Sequence, residues 1–468
     1  MKERIDLLVI GCGPAGMAAA SRAAEHGLSV AIIEERASAG GQIYRGLADG
    51  PFRKRRELGA DYLAGKSLLA RFDAFNIDAF FGASLWRIDF EGETKIATFL
   101  WQGKKQRMVF RKLLIATGSI ERPVAFEGWT LPGVMNTGAA QLLLKQSGIA
   151  PDGRIVLAGN GPLQLLFAQQ LLSLGIAITA ILDTAPPVSH AGIVLKQLFS
   201  LIPHTPKLMK GARMLSAIKR AGIPIHHNVS ALKATGEGRL DAVQFTANGS
   251  AHLLKADVLL MHEGVIPNNH LSQAIGCRHH WDEQQACFRP ELDEYGESSI
   301  NGIFIAGDGA SIRGAVAASA TGDIAVLRIL EQLQKGTGAS QQALQKAMAL
   351  RNKEQRFRPF LEQMYPPGLA RAPFSDNTLI CRCEEVTAGE LRAAVHDGAI
   401  GPAQAKAFTR CGMGACQGRT CGSIVSRFIA EEAQLDMNAV GSYRVRFPLK
   451  PMTLGDMSDF DQEENHAN

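Results

Sequence analysis

Ile5-Asp6-Leu7-Leu8-Val9-Ile10-Gly11-Cys12-Gly13-Pro14-Ala15-Gly16 decides the fold. The run Ile5–Ile10 is apolar apart from Asp6, the pattern of a parallel strand covered on both faces. A G-x-G-x-x-G turn follows, then an alanine-rich helical stretch ending at Gly27, then a second strand, Ser29–Ile33, and Glu34. A glycine triplet alone is a weak signal. Between strand and helix, with an acid 23 positions past Gly11, it predicts a dinucleotide site. Gly11 makes the tight turn, Gly13 lets backbone approach a pyrophosphate, and Gly16 lets helix and strand pack closely. Pro14 and Ala15 open the helix, whose N-terminal amides face the anion, and Glu34 can accept hydrogen bonds from a ribose.

The same plan recurs between Arg154 and Asp183: a strand, Gly159-Asn160-Gly161-Pro162-Leu163-Gln164, a helix, Gly175, a strand and Asp183. Gln164 stands where the third glycine belongs, so the turn should be pushed outward and binding weakened or redirected. Gly159, Gly161 and Asp183 leave two readings open: an adenine-nucleotide site, NAD or ATP, or a vestigial domain kept as scaffold. No charged residue occurs from Ile155 to Leu182, a length that could span a bilayer. Asn160, Gln164, Gln169 and Gln170 interrupt it, so a buried βαβ unit is expected and no transmembrane segment.

Two further segments separate FAD from NAD at the first site. Leu113–Ser119, holding Ala116-Thr117-Gly118, is a strand entering a small-residue turn; Ile303–Gly309, holding Gly307-Asp308, is a strand ending in an acid before a Gly/Ala-rich helix. With Gly40-Gly41-Gln42, these resemble the two-dinucleotide-domain flavoproteins that include glutathione and thioredoxin reductases. The resemblance covers roughly residues 1–330 and implies FAD, with Asp308 on the ribityl chain and the following helix aimed at the isoalloxazine. Glu35, Gly41 and Gln42 join the expected FAD contacts. The redox cysteine pair of the disulfide reductases is missing: Gly41–Arg45 holds no Cys, and no C-x-x-C occurs in the chain. Patches near 86–110 and 243–261 alternate as β-meanders do.

Beyond residue 335 composition changes. A polar helical segment, 339–363, leads to Tyr365-Pro-Pro-Gly368 and a linker. Cys381-x-Cys383 then ends a short strand, Thr387-x-x-Glu390 is a capping box, Pro402 opens another helix, and Cys411-x4-Cys416-x4-Cys421 precedes a last one. Clustered thiolates in a chain with no expected secretory leader hold metal more often than they form disulfides. Two close pairs, Cys381/Cys383 and Cys416/Cys421, can bring four thiolates to one 2Fe-2S cluster; zinc is the rival that spacing leaves open. The C-x-H-H stretch at Cys277–His280 fits no familiar zinc spacing.

This module resembles the bacterioferritin-associated ferredoxin-like 2Fe-2S domain, with x4 rather than x2 in its last spacing and Cys411 outside the four-ligand match. CRCEEVTAGEL (381–391), TRCGMGACQGRTCG (409–422), HEGVIPNNHL (262–271) and the tail Arg446–Pro451 resemble something narrower: the FAD-containing α subunit of opine oxidases, hydrogen cyanide synthase and related hydroxyproline, proline and sarcosine-type dehydrogenases. That resemblance covers nearly the whole chain. It implies a separate substrate-oxidising flavoprotein β subunit, a small third subunit in some assemblies, and an FMN at a subunit interface.

The fold class expected is therefore α/β, a glutathione-reductase-like flavoprotein of two dinucleotide-binding domains plus a small helical iron–sulfur domain. Its parts are 1–121 with 265–335 for FAD, an inserted second domain 122–264, a helical linker 336–375, the 2Fe-2S domain 376–440 and a tail 441–468. A charge of +5 on 50 basic and 45 acidic residues is too balanced to imply nucleic acid. A start that runs straight into a strand, with eight cysteines, fits a reducing cytoplasm. The basic run Arg53–Arg56 and the tail are candidate partner contacts. The expected function is an electron-transferring FAD/2Fe-2S α subunit of a hetero-oligomeric opine or secondary-amine dehydrogenase. The alternative is a self-sufficient NADH-dependent oxidoreductase. No catalytic residue is identified.

Overall fold

Ile5–Ile10 is central to the first sheet of the computed structural model, which describes residues 4–52, 56–187, 192–194, 197, 201–368 and 373–457. It pairs in parallel with Val30–Glu34 on one side and with Lys104–Ile115 on the other. Asp78–Phe81 and Ile303–Ile305 extend the parallel set outward at its two edges. Leu7, Leu8 and Val9 are fully buried, as a strand flanked by helices on both faces requires. The first half of Lys104–Ile115 pairs antiparallel with Thr94–Trp101, which pairs with Ser84–Glu91, so one long strand belongs to both the nucleotide sheet and a meander.

Helices Pro14–Glu25 and Ala315–Gln332 lie against this sheet and against each other. Their approach depends on small residues: a Cβ on Gly322 would stand 2.2 Å from the Ala15 carbonyl oxygen. The alanine-rich sequence of the first helix is thus a packing requirement as well as a helix preference.

A second parallel sheet carries Ile225–His226, Ala180–Asp183, Ile155–Asn160, Val258–Glu263 and Val134–Asn136 in that order. The charge-free stretch resolves into strand Ile155–Asn160, helix Pro162–Ser173 and strand Ala180–Asp183. No helix among the described residues is long and apolar enough to cross a membrane. The meander here spans Val229–Lys255, earlier than its sequence alternation suggested. Val258–Glu263 instead returns to the parallel sheet, because Leu259, Leu260 and Met261 are buried in succession rather than alternately.

Helices Gly338–Gln355 and Arg358–Met364 lead to the C-terminal module. There Leu379–Cys381, Ala388–His396, Pro402–Thr409 and Gly422–Glu432 enclose a core of Ile380, Leu391, Val425 and Phe428. Tyr443, beyond the boundary read at 440, completes that core, and the tail then runs to the first sheet, where the Leu449 amide donates to the Trp86 carbonyl. The module also meets the second domain: Trp129 Nε1 donates to the Leu379 carbonyl at 2.7 Å. Arg53, Lys54 and Arg55 of the basic run lie outside the described residues.

Candidate functional site

The first glycine turn is a backbone cradle. Gly11 has φ +102°, and a Cβ there would stand 2.5 Å from the Ala116 carbonyl oxygen. One on Gly16 would stand 1.9 Å from the Gly11 carbonyl oxygen. Gly41, at φ +61°, faces the Gly13 Cα at 2.8 Å from its own would-be Cβ, so the loop after the second strand closes onto the turn. Gly13 caps the following helix without a side-chain hydrogen bond, leaving the first-turn amides to an anion. Glu34 is buried and holds the cradle: Oε2 accepts from Cys12 N at 2.6 Å and Oε1 from Arg36 N at 2.9 Å. Glu35 lies at the exposed lip, ion-paired with Lys450 of the tail.

Around this cradle stand the other residues read from sequence. Gln42 Nε2 donates to the Ser119 carbonyl at 2.8 Å, beside Ala116-Thr117-Gly118. Gly307 packs on Ala15, and its amide donates to Thr321 Oγ1 at 2.9 Å. Asp308 Oδ1 accepts from Arg313 N at 3.0 Å and Gly314 N at 3.3 Å, although burial still pushes its carboxyl up. Sequence reading missed Lys145. It is buried, donates to the Gln42 and Ile43 carbonyls at 3.3 and 3.1 Å, and anchors the closing loop; burial lowers its pKa to about 7, with the Arg45 charge adding to the effect.

The second turn differs. Gln164 is buried, with Nε2 lacking a hydrogen-bond partner among the described residues. Where the first turn leaves no room for a Cβ at Gly16, the second accommodates a whole buried side chain. Asp183 accepts from Ala185 N at 3.1 Å and pairs with His227 Nδ1 at 2.9 Å. Asn160 Nδ2 donates to the Pro366 carbonyl at 2.7 Å, and Gly368 packs so closely on Thr184 that a Cβ would stand 1.8 Å from its carbonyl oxygen. Burial raises the Tyr365 phenol, and the Asp183 charge adds to it. The linker therefore crosses the mouth of this site.

The thiols gather in the C-terminal module. The Sγ atoms of Cys381, Cys411 and Cys421 all lie within 4.8 Å of one another, and all three residues are buried. Cys416 lies beside Cys421 and Cys383, and these two thiols shift its own. Donation from Cys411, then Cys421, holds the Cys381 thiol well below the usual thiol range, and donation from Cys421 draws Cys416 down to about 4. The same contacts push the Cys411 and Cys421 thiols up. An all-sulfur donor set fits a thiophilic metal centre. Cys411, read from sequence as a bystander, is thus brought into contact with two of the four expected ligands. Cys383 is exposed and lies beside the loop at Gly414, where a Cβ would meet the Cys383 Cβ at 2.3 Å.

The two sites are tied together. The Asn268 amide donates to the Gly118 carbonyl at 3.0 Å and Thr117 Oγ1 donates back to the Asn268 carbonyl at 3.1 Å. Two residues on, His270 Nε2 donates to the Gln417 carbonyl at 3.3 Å, next to Cys416. Asn268 and His270 lie in the quoted stretch 262–271, yet periodicity gave no reason to single them out.

A family profile described as pyridine nucleotide-disulphide oxidoreductase matches residues 5–322, and one described as sarcosine oxidase A3 domain matches 375–459. Fold and cradle thus define an oxidoreductase of the flavoprotein class, and they support FAD at the first site. The chain is 39% identical to an opine oxidase subunit from Rhizobium meliloti (strain 1021), covering 97% of this chain and 98% of that one. It is 31% identical to hydrogen cyanide synthase subunit HcnB of Pseudomonas protegens, over 97% and 98%. The chain belongs to this family of opine oxidase and hydrogen cyanide synthase subunits. An L-proline dehydrogenase from P. horikoshii shares the fold, with TM-score 0.72 and 20% identity over 97% of this chain and 79% of that one.

Proposed function

We propose that this chain is the electron-transferring subunit of a hetero-oligomeric flavoenzyme that dehydrogenates an opine or another secondary amine. In this reading a partner flavoprotein subunit oxidises the substrate and this chain relays the electrons. The observation that carries it is the tie through Asn268 and His270, which joins the dinucleotide cradle to the thiol cluster within one chain. FAD bound at the cradle would supply two-electron acceptance, and a 2Fe-2S cluster bound at the thiols would supply one-electron transfer. Gly11, Gly13, Ala15, Gly16 and Glu34 would hold the pyrophosphate and ribose, with Asp308 towards the ribityl chain. Cys381, Cys383, Cys416 and Cys421 would ligate the iron.

The domain division read from sequence, a second flavin at the subunit interface and a cytoplasmic setting belong to the same proposal. Gly159, Gly161 and Asp183 remain the residues that would take an adenine nucleotide, NAD or ATP. With Gln164 in the third-glycine place and the linker across Asn160, we assign that site no part in reduction by NADH. The names of the relatives, all subunits of multi-subunit oxidases or synthases, favour the relay over a self-sufficient NADH reductase.

The test is co-expression with a candidate partner flavoprotein, followed by anaerobic addition of opines and imino acids. Reduction of the flavin of this chain should occur only in the complex. Flavin bleaching of the isolated chain by NADH would overturn the assignment.

A further inference from the structure

Arg45 is a buried cation with nothing to balance it. The residue is 7% exposed, its Nε lacks a hydrogen-bond partner, and no carboxylate among the described residues forms an ion pair with it. Burying a charge is costly unless it is paired, and an arginine keeps its proton under such burial. Resting on the FAD reading of the first site, we propose that Arg45 is a further cofactor-binding residue. Its guanidinium donates to a phosphate oxygen of the dinucleotide and fastens the closing loop over it.

The loop that carries Arg45 is pinned on both sides of it. Before it, the Gly40 amide donates to the Cys12 carbonyl at 2.8 Å, and a Cβ on Gly41 would stand 2.8 Å from the Gly13 Cα. That contact is with the turn whose helix amides face the anion. At Arg45 itself the carbonyl accepts from Tyr62 Oη at 2.8 Å. After it, a Cβ on Gly46, at φ +69°, would stand 2.4 Å from the Lys145 carbonyl oxygen. The loop thus leaves Arg45 beside the cradle, and burial keeps its side chain out of solvent. The neighbouring carboxylates are engaged elsewhere: Glu34 by the Cys12 and Arg36 amides, and Glu35 by Lys450. These two and Asp49 favour the Arg45 charge only from a distance, while burial and then the Arg36 charge oppose it. Lys145, whose carbonyl Gly46 abuts, adds a second buried cation. Two buried cations beside the first-turn amides call for an anion, and the pyrophosphate is the only anionic part of FAD.

The test uses the full chain stripped of flavin, as wild type, Arg45→Met and Arg45→Lys. Readouts are the Kd for FAD, competition of ADP and of riboflavin with FAD uptake, and the melting temperature with and without FAD. In Arg45→Met the Kd should rise about 10- to 100-fold, the loss expected for one charge-assisted hydrogen bond. ADP, which carries the pyrophosphate, should compete more weakly by a similar factor. Riboflavin, which lacks it, should compete as in wild type. Arg45→Lys, which keeps the charge without the fork, should fall between. Without FAD, Arg45→Met should melt at or above wild type, because an unpaired buried charge is gone; on adding FAD it should gain less. An arginine that only braces the loop would lower the melting temperature of the stripped variant, and that result would overturn the proposal. So would unchanged ADP competition, or a loss confined to riboflavin. A wild-type chain that takes up no FAD would instead remove the first-site reading, and the Arg45 assignment with it.

Discussion

Asn160 reaches from the second glycine turn to the carbonyl of Pro366, 2.7 Å away, and this contact seats the linker over a site that in other members of the fold class faces a dinucleotide. Gln164 and the linker act independently: one changes how the helix meets its strand, the other covers the entrance. NADH added anaerobically to the isolated chain should therefore leave the visible flavin absorbance unchanged. Gln164→Gly should not restore reduction on its own, because Tyr365–Gly368 still cross the turn. Rapid bleaching in that single variant would assign the whole defect to the missing glycine.

The buried amine of Lys145 makes stability depend on pH in a definite direction. Its folded-state pKa is lowered to about 7 from a usual value of 10.5, so between these limits the unfolded chain binds the extra proton. Stability should then rise with pH across that window, by at most about 1.4 kcal/mol per pH unit. Below about pH 7 both states are protonated and the burial penalty is constant. Denaturant midpoints measured from about pH 7 to about pH 9 should climb in the wild type and climb less in Lys145→Met, which has no proton to lose. Parallel slopes in the two proteins would show that Lys145 is not the group responsible.

His270 holds the loop of Cys416 against the flavin turn, and burial lowers its pKa. His270→Ala removes that bond while leaving the glycine cradle and all five thiols in place. Flavin and iron content should stay at wild-type levels. Electron passage from flavin to cluster after photoreduction should slow, as followed by flavin absorbance and cluster EPR at short times. His270→Gln, which keeps a donor, should recover part of the rate. Equal rates in all three proteins would mean that the contact carries no positioning role.

The first sheet was legible because its information is local: strand, glycine turn, helix and acid follow in one stretch, and each residue type answers to one contact. The second turn was legible in the same way, down to the misfit at Gln164. What stayed hidden depends on distant segments. Pro366 meets Asn160 across 206 positions, Tyr443 meets Cys411 across 32, and Lys145 meets Gln42 across 103. Cys411 shows the limit most clearly. Matching by spacing separated it from the ligand set, whereas folding returns it to contact with Cys381 and Cys421.

Gly414 offers a way to test the proposed cluster while sparing the flavin site. A methyl group there would meet the Cys383 Cβ at 2.3 Å and Glu384 Oε1 at 3.0 Å. The carboxylate can swing away, although that loosens its ion pair with Arg410 at 2.9 Å. The Cβ contact leaves no such escape, so either the 412–416 loop lifts or the Cys381–Cys383 strand end shifts. Overpacking of this kind costs about 1–3 kcal/mol. The module core around Leu391, Val425 and Phe428 does not include Gly414 and should survive. Gly414→Ala should accordingly keep one flavin per chain and melt within about a few degrees of wild type, while iron after reconstitution falls well below wild type. Full iron occupancy would show that the loop yields without moving Cys383, and that this thiol lies further from the metal than its place beside Cys416 indicates.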